Sequence, residues 1–289
     1  MTQPANLPGL GVQPGQGMQF AINFSHPAKA LFSAGRLPLD RFKTPDWPEM
    51  VAEAAQLRPV QVHFNLKAGC GKLDKVDWAV VDRLLEDTGT PYVNVHLESE
   101  AGCLPGVPQH SARPEHREAV IERMLADLQP LLHRYGAPRV IAENIPYRPA
   151  SRVILLCADP QVISTVIETS GIGLLLDISH ARISAHHLGM DWRAYISQLP
   201  VHRLRELHVT GIADQDGWLQ DHRPLQPDDW PAVDWVLERI RAGVWPQPWL
   251  MAFEYGGVGG KFSEFSDPQV IEQQGSQLHH AAHHLARAL

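Results

Sequence analysis

The chain has few of the features that would direct it to a membrane, a disulfide scaffold or a nucleic-acid duplex. No apolar run approaches the roughly 18 residues that a membrane span needs. Three cysteines, Cys70, Cys103 and Cys157, are too few for a disulfide framework and do not have zinc-ribbon spacing. The opening stretch MTQPANLPGLGVQPGQGMQF has neither the basic start nor the apolar centre of a secretory signal. A reduced, cytoplasmic protein with no membrane partner is expected, with Cys70 and Cys103 as surface thiols. Basic residues are also in short supply, 25 against 32 acidic ones, for a net charge of −7. Gripping a phosphate backbone usually takes a basic face, so nucleic acid is not the expected partner.

Histidine, by contrast, is abundant, at 16 residues. Four histidines crowd the tail LHHAAHHLARAL, where His279/His283 and His280/His284 are i,i+4 neighbours on a helix. No carboxylate or cysteine accompanies them in sequence, so they read as a polar helix face. Five of the others, His63, His96, His180, His208 and His222, fall within a repeating pattern. Short runs rich in Val, Ile, Leu or Phe recur at 18–24, 37–43, 59–66, 91–98, 138–145, 172–178, 204–210 and 248–255. Each has the length and composition of a buried parallel strand. Segments with helical spacing lie between them, several opening at Asp and closing at Gly. Pro130 is expected to kink or split the helix that contains it.

Eight strands alternating with helices predict an α/β protein, a single (β/α)8 TIM barrel over 18–289 behind a flexible extension at 1–17. The alternative is an open doubly wound sheet. The first strand runs into INFSHPAKA, without the glycine-rich turn that such a fold uses to bind a dinucleotide.

Polar groups recur near the C-terminal ends of these strands. His63 falls in the third, His96 in the fourth, Glu143 with Asn144 in the fifth, and Asp177 at the end of the sixth with His180 just beyond. His208 falls in the seventh, His222 in the following loop and Glu254 in the eighth. In a barrel those ends converge on one face, which carries the active site. A buried charge is costly unless paired or metal-bound. Individually, each residue has an ordinary structural explanation: Asp177 as a helix cap, His180 facing solvent, His63 in the core. Together they predict a metal site, with Glu143, Asp177 and Glu254 as its catalytic carboxylates. Imidazole and carboxylate suit Fe, Zn or Mn, and the ligands exceed what one ion needs. Two or three divalent ions are expected, bridged by Glu143 or Glu254. Asn144 is a candidate substrate contact or outer partner of a ligand, and Lys43 a candidate substrate contact or charge partner at the same rim, although a solvated lysine is the ordinary reading of Lys43.

The order His, His, Glu, Asp-x-x-His, His, loop His, Glu resembles that of the xylose-isomerase-like, endonuclease IV-like TIM-barrel superfamily. AENIPY, GLLLDISHARISAHHLGMDWRAYI, LRELHVTG and MAFEYGG resemble one branch more closely. That branch comprises the multinuclear non-haem iron enzymes of the methanobactin-oxidase type, which oxidatively modify cysteine in ribosomal peptides. The resemblance implies metal ligation by His63, His96, Glu143, Asp177, His180, His208, His222 and Glu254. It also implies iron as the metal, a peptide or small-thiol substrate and a small partner protein that presents the peptide. The family's loop commonly reads Asp-x-His. Here Gln220 holds the Asp position, and Asp221 can replace it only through a register shift. A sugar isomerase would need only Glu143, Asp177, His208 and Glu254. A hydrolase acting on abasic DNA would suit the histidines better than the charge balance.

Overall fold

The computed structural model describes residues 17–258 and 265–285. The expected N-terminal extension, apart from Gly17, lies outside the described residues. The strands are β1 (Gln19–Asn23), β2 (Arg41–Pro45), β3 (Val60–His63), β4 (Lys67–Ala68), β5 (Val93–Leu97), β6 (Val140–Glu143), β7 (Gly173–Asp177), β8 (Leu204–Val209), β9 (Gly211–Gln215), β10 (Trp218–Arg223) and β11 (Leu250–Phe253). The helices are α1 (His26–Ser33), α2 (Pro48–Ala55), α3 (Trp78–Thr88), α4 (Pro114–Tyr135), α5 (Pro160–Ser170), α6 (Ile178–His187), α7 (Trp192–Gln198), α8 (Trp230–Arg241) and α9 (Pro268–His284). No helix among the described residues is long and apolar enough to cross a membrane.

The main sheet is parallel and runs β3-β2-β1-β11-β8-β7-β6-β5-β4. Its two ends are halves of one interrupted strand. β3 pairs with β2, and β4, three residues further on, pairs with β5. Phe64 donates its N–H to the Asn94 side chain at 2.7 Å, and His96 N–H reaches the Leu66 carbonyl at 2.9 Å, so the gap is bridged. Counting β3 and β4 as one strand, the sheet is the expected eight-stranded TIM barrel.

Strand alternation sorts the side chains. Phe20, Ile22, Val62, Val95, Leu174, Leu176, Leu207 and Phe253 are buried between strands and helices. The opposite parity faces the barrel axis, where Ala21, Ile141, Leu175 and Ala252 pack as a separate cluster with Tyr92, Trp249 and Leu250. Two residues beyond these on their strands stand Glu143, Asp177 and Glu254. The same two-residue step leads from Gln61 to His63, from Asn94 to His96 and from Glu206 to His208. The axis thus carries the apolar cluster together with buried Gln61, Asn94 and Glu206 below, and ligating side chains above.

Four expectations are corrected. The second strand begins at Arg41, because Leu37 and Leu39 are buried before the strand starts. Helix α4 runs through Pro130 without interruption. Burial of its flanking Leu128 and Leu131 offsets the roughly 3 kcal/mol that an interior proline costs. Cys70 and Cys103 are joined in a disulfide, while Cys157 is free and buried. The loop between β8 and α8 is a two-stranded antiparallel ribbon, β9–β10. Its turn, Asp216-Gly217, has positive φ at both residues (53° and 84°), as the tightest hairpins require. That dipeptide was the sequence signal for the hairpin.

Candidate metal centre

The mouth of the barrel holds a cavity of about 360 Å³, whose lining includes His63, His96, Glu143, His180, His222 and Glu254. Three overlapping groups each place their ligand atoms within 4.8 Å of one another: His63, His96 and Glu143; His63, His208 and Glu254; and Glu143, Asp177, His208 and Glu254. The shared members make this one continuous cluster. Glu143 Oε2 lies 3.1 Å from His96 Nε2 and 3.5 Å from His63 Nε2, and Glu143 Oε1 lies 3.4 Å from His180 Nδ1.

The imidazoles are oriented from behind. His96 Nδ1–H donates to the Leu66 carbonyl at 3.0 Å, and His180 Nδ1–H donates to the Asn144 carbonyl at 2.9 Å. His208 Nε2–H donates to Glu206 Oε1 at 2.9 Å, and His222 Nδ1–H to the Glu254 carbonyl at 2.7 Å. This fixes the tautomer of each ring. On three of them the second nitrogen then faces carboxylates: His96 Nε2 meets Glu143, His208 Nδ1 lies 3.3 Å from Glu254 Oε1, and His180 Nε2 lies 3.0 Å from Asp221 Oδ2. Metal-binding histidines are held in this way, with one ring nitrogen donating outward and the other left for the ion.

Several atoms in the cluster are buried without a hydrogen-bond partner: Glu143 Oε2, Asp177 Oδ2, His63 Nδ1 and His208 Nδ1. Buried polar atoms are rarely left so, and divalent cations would satisfy the inward-facing ones. Protonation follows the same demand. Burial disfavours the His180 cation, yet Asp177 and Asp221 push it up to about 10. Burial likewise opposes charge on His208, and Glu254 nonetheless holds it well above the usual imidazole range. Burial raises Asp177 to about 7. The carboxylates draw positive charge onto the rings, and metal ions at the same place would meet that need. The residue set therefore fits divalent metal.

Asp177 is both a cap and a candidate ligand. Its Oδ1 accepts the His180 backbone N–H at 2.7 Å, capping α6, while Oδ2 has no hydrogen-bond partner. His180, in the first turn of α6, is buried and does not face solvent.

The hairpin resolves the Gln220 position. A register irregularity between Gln220 and Arg223 turns the Gln220 side chain to accept from Arg223 at 2.8 Å. His222 adopts φ 58°, and Asp221 swings toward His180 and Arg148. The hairpin lies close because Gly211 has no side chain; a Cβ there would meet the Pro224 carbonyl oxygen at 1.9 Å.

Asn144 and Lys43 both stand at the site, Asn144 behind a ligand and Lys43 as a charge partner on the cavity wall. Asn144 is fully buried, and its amide donates to Asp177 O and accepts from Asp177 N, both at 2.9 Å, so it ties β6 to β7. Lys43 is 4% exposed and ion-paired with Glu254 on the cavity wall, so it is not a solvated rim lysine. Sequence reasoning named Asp221 as the alternative to Gln220, reached by the register shift that the hairpin shows, and it missed Glu206. Glu206 is readable in hindsight, because it stands two residues before His208 on the same strand face.

Fold and site together define a TIM barrel whose mouth, at the C-terminal ends of the strands, gathers histidines and carboxylates able to hold metal ions. Residues 115–246 match the family described as RiPP precursor modification enzyme MbnB/TglH/ChrH, which bears out the family resemblance seen in the ligand order. A UPF0276 protein of Acaryochloris marina is 30% identical over 151 residues, covering 51% of this chain and 50% of that protein. One from Bordetella pertussis is 31% identical over 101 residues, 34% of this chain and 33% of the relative. The chain thus matches half or less of the length of these relatives. A UPF0276 protein of Chromobacterium violaceum aligns more fully, over 225 residues at 27% identity, covering 71% of this chain and 73% of the relative. Endonuclease IV from Thermus thermophilus superposes with a TM-score of 0.51, covering 91% of this chain and 98% of that one. At 16% identity that likeness establishes the endonuclease IV-like barrel fold and nothing further.

Proposed function

We propose that this protein is a multinuclear metal enzyme that oxidatively modifies a peptide or small-thiol substrate, with two or three ions, iron foremost. The observation that carries the proposal is the outward anchoring of His96, His180 and His208. Each ring donates one N–H away from the cluster and turns its other nitrogen toward Glu143, Glu254 or Asp221. His63, His96, Glu143, Asp177, His180, His208, His222 and Glu254 would hold the ions, with Asp221 in the role that the family's loop Asp fills. Iron, when bound, supplies redox chemistry with dioxygen and a Lewis acid for a thiol.

The chain's own residues supply the rest. Glu206 holds the His208 tautomer, and Asn144 fixes the backbone that carries Asp177. Lys43 lies against Glu254 and offsets its charge. Phe24 and Trp47 line the cavity beside the polar cluster, giving an apolar wall for a peptide side chain. A small partner that presents the peptide belongs to the same proposal. So does a cytoplasmic location, against which the Cys70–Cys103 disulfide weighs, since such bonds persist mainly in oxidising compartments.

The quartet Glu143, Asp177, His208 and Glu254 would by itself suit a sugar isomerase. That reading leaves His63 and His96, which converge on Glu143, without a role. The test is metal analysis of untagged protein prepared without oxygen, followed by dioxygen uptake with a cysteine-containing peptide. At least two irons per chain, with uptake lost when the peptide's cysteine is replaced by serine, is expected. One manganese or cobalt with ketose–aldose exchange, or nicking of abasic DNA, would overturn the proposal.

A further inference from the structure

The two histidine pairs of α9 differ in what the fold brings to them. A helix that follows a barrel strand runs back toward the N-terminal face, so the last turns of α9 lie at the floor, opposite the cavity. Asp40, immediately before β2, sits at that floor. His283 Nε2 lies 2.9 Å from Asp40 Oδ2 across 243 residues of sequence. The rings of His279 and His283 are 4.3 Å apart and inclined by 37°. Asp40, His279 and His283 each offer a ligand atom within 4.8 Å of the other two.

Asp40 is held firmly. The same Oδ2 accepts the Phe20 N–H at 2.7 Å, and Asp40 N–H donates to the Phe20 carbonyl at 3.0 Å. His279 meets the Phe20 ring edge-on at 5.9 Å. The carboxylate is therefore fixed to β1, with His279 packed beside Phe20, while the exposed His283 reaches the carboxylate from the helix. The neighbouring pair, His280 and His284, stacks at 3.7 Å with His284 Nδ1 bonded to the His280 carbonyl. No carboxylate or third ligand joins that pair among the described residues.

We infer that Asp40, His279 and His283 form a second metal site, separate from the barrel mouth, that binds a divalent ion of the Zn²⁺ type. Two imidazoles and one carboxylate are a common zinc donor set, with the remaining positions taken by water. Tetrahedral coordination with bonds of about 2.1 Å needs ligand atoms about 3.4 Å apart, so the His283–Asp40 pair, at 2.9 Å, opens slightly and the remaining pairs, within 4.8 Å, need only small side-chain shifts. On binding, the His283 proton moves from Nε2 to Nδ1 by exchange through solvent, and the freed Nε2 lone pair goes to the metal, so the ring stays neutral. The site clamps α9 to β1 and to the start of β2. Its role is structural, and it leaves the chemistry at the mouth unchanged.

The test uses untagged, full-length protein stripped with a chelator, then titrated with Zn²⁺ against a chromophoric competitor. The comparison is between wild type, His279→Gln/His283→Gln, His280→Gln/His284→Gln and Asp40→Asn. Asp40→Asn can keep the Phe20 hydrogen bond through its amide oxygen, so it separates ligation from folding. The 279/283 variant and Asp40→Asn should each bind one Zn²⁺ fewer per chain, or bind that equivalent at least 100-fold more weakly. The 280/284 variant should match wild type. Hydrogen exchange in the last two turns of α9 should slow with Zn²⁺ only where the site is intact. Unchanged stoichiometry and affinity in the 279/283 variant and Asp40→Asn, or loss of the same equivalent in the 280/284 variant, would overturn the inference.

Discussion

Replacing Asp177 separates two roles that its two oxygens perform. Oδ1 caps α6 through the His180 N–H, and Oδ2 is buried in the cluster without a hydrogen-bond partner. Asp177→Ala removes both. A lost cap costs about 1 kcal/mol, up to about 2, and leaves the buried His180 N–H unsatisfied, so metal-free protein should lose about 1–3 kcal/mol. For a chain of this size that lowers the unfolding midpoint by roughly 2–4 °C per kcal/mol. Asp177→Asn keeps the cap, because asparagine caps as well as aspartate. It also removes a charge that burial disfavours, which has already raised Asp177 to about 7. Metal-free Asp177→Asn should therefore be no less stable than metal-free wild type.

Both variants lose the metal-facing carboxylate. Outer partners of metal ligands are worth about 10–100-fold in affinity, so loss of a direct ligand should weaken one ion by at least about 100-fold, or about 2.8 kcal/mol. Elemental analysis after dialysis reads the affinity, and thermal unfolding of stripped and loaded protein reads the cap. The pattern expected is cap loss in Asp177→Ala alone and metal loss in both. Full metal content in Asp177→Asn would refute the assignment of Oδ2. Equal midpoints for stripped Asp177→Ala and wild type would refute the cap.

Asp221→Ala should lose or weaken one metal ion by at least 10-fold, while Gln220→Ala retains wild-type loading; equal losses from both would show that the hairpin register is wrong. Asp127 is buried and accepts Gly69 N–H and Gly71 N–H, both at 2.7 Å, from the loop after β4. Asp127→Ala should destabilise the protein by about 2–4 kcal/mol in urea unfolding by leaving those two amides unpaired, without changing metal content; a loss under about 0.5 kcal/mol would show that the loop does not depend on them.

Much of the barrel was legible because its signals are local. Strand positions followed from apolar runs, and the placement of His63, His96, Glu143, Asp177 and His208 toward the C-terminal ends of the strands followed from where they fall in those runs. The shift of the second strand to Arg41–Pro45 was hidden by two leucines buried outside it. The β9–β10 ribbon was hidden by its polar composition, with only Asp216-Gly217 to mark it. Lys43 looked like a rim lysine until the closed barrel set it against Glu254.

The sequence by itself determined the alternation of strands and helices, the face on which each ligand stands and the chemistry those ligands can perform. These depend on residues a few positions apart, whose relative directions the backbone fixes. Only the tertiary structure decided that Asp221 and not Gln220 approaches His180, that Glu206 orients His208, that Cys70 meets Cys103 and that Asp40 meets His283. Each of these depends on how far apart chain segments come to rest once the sheet closes and a hairpin shifts its register. No short-range pattern encodes that distance, because it results from packing the whole barrel at once.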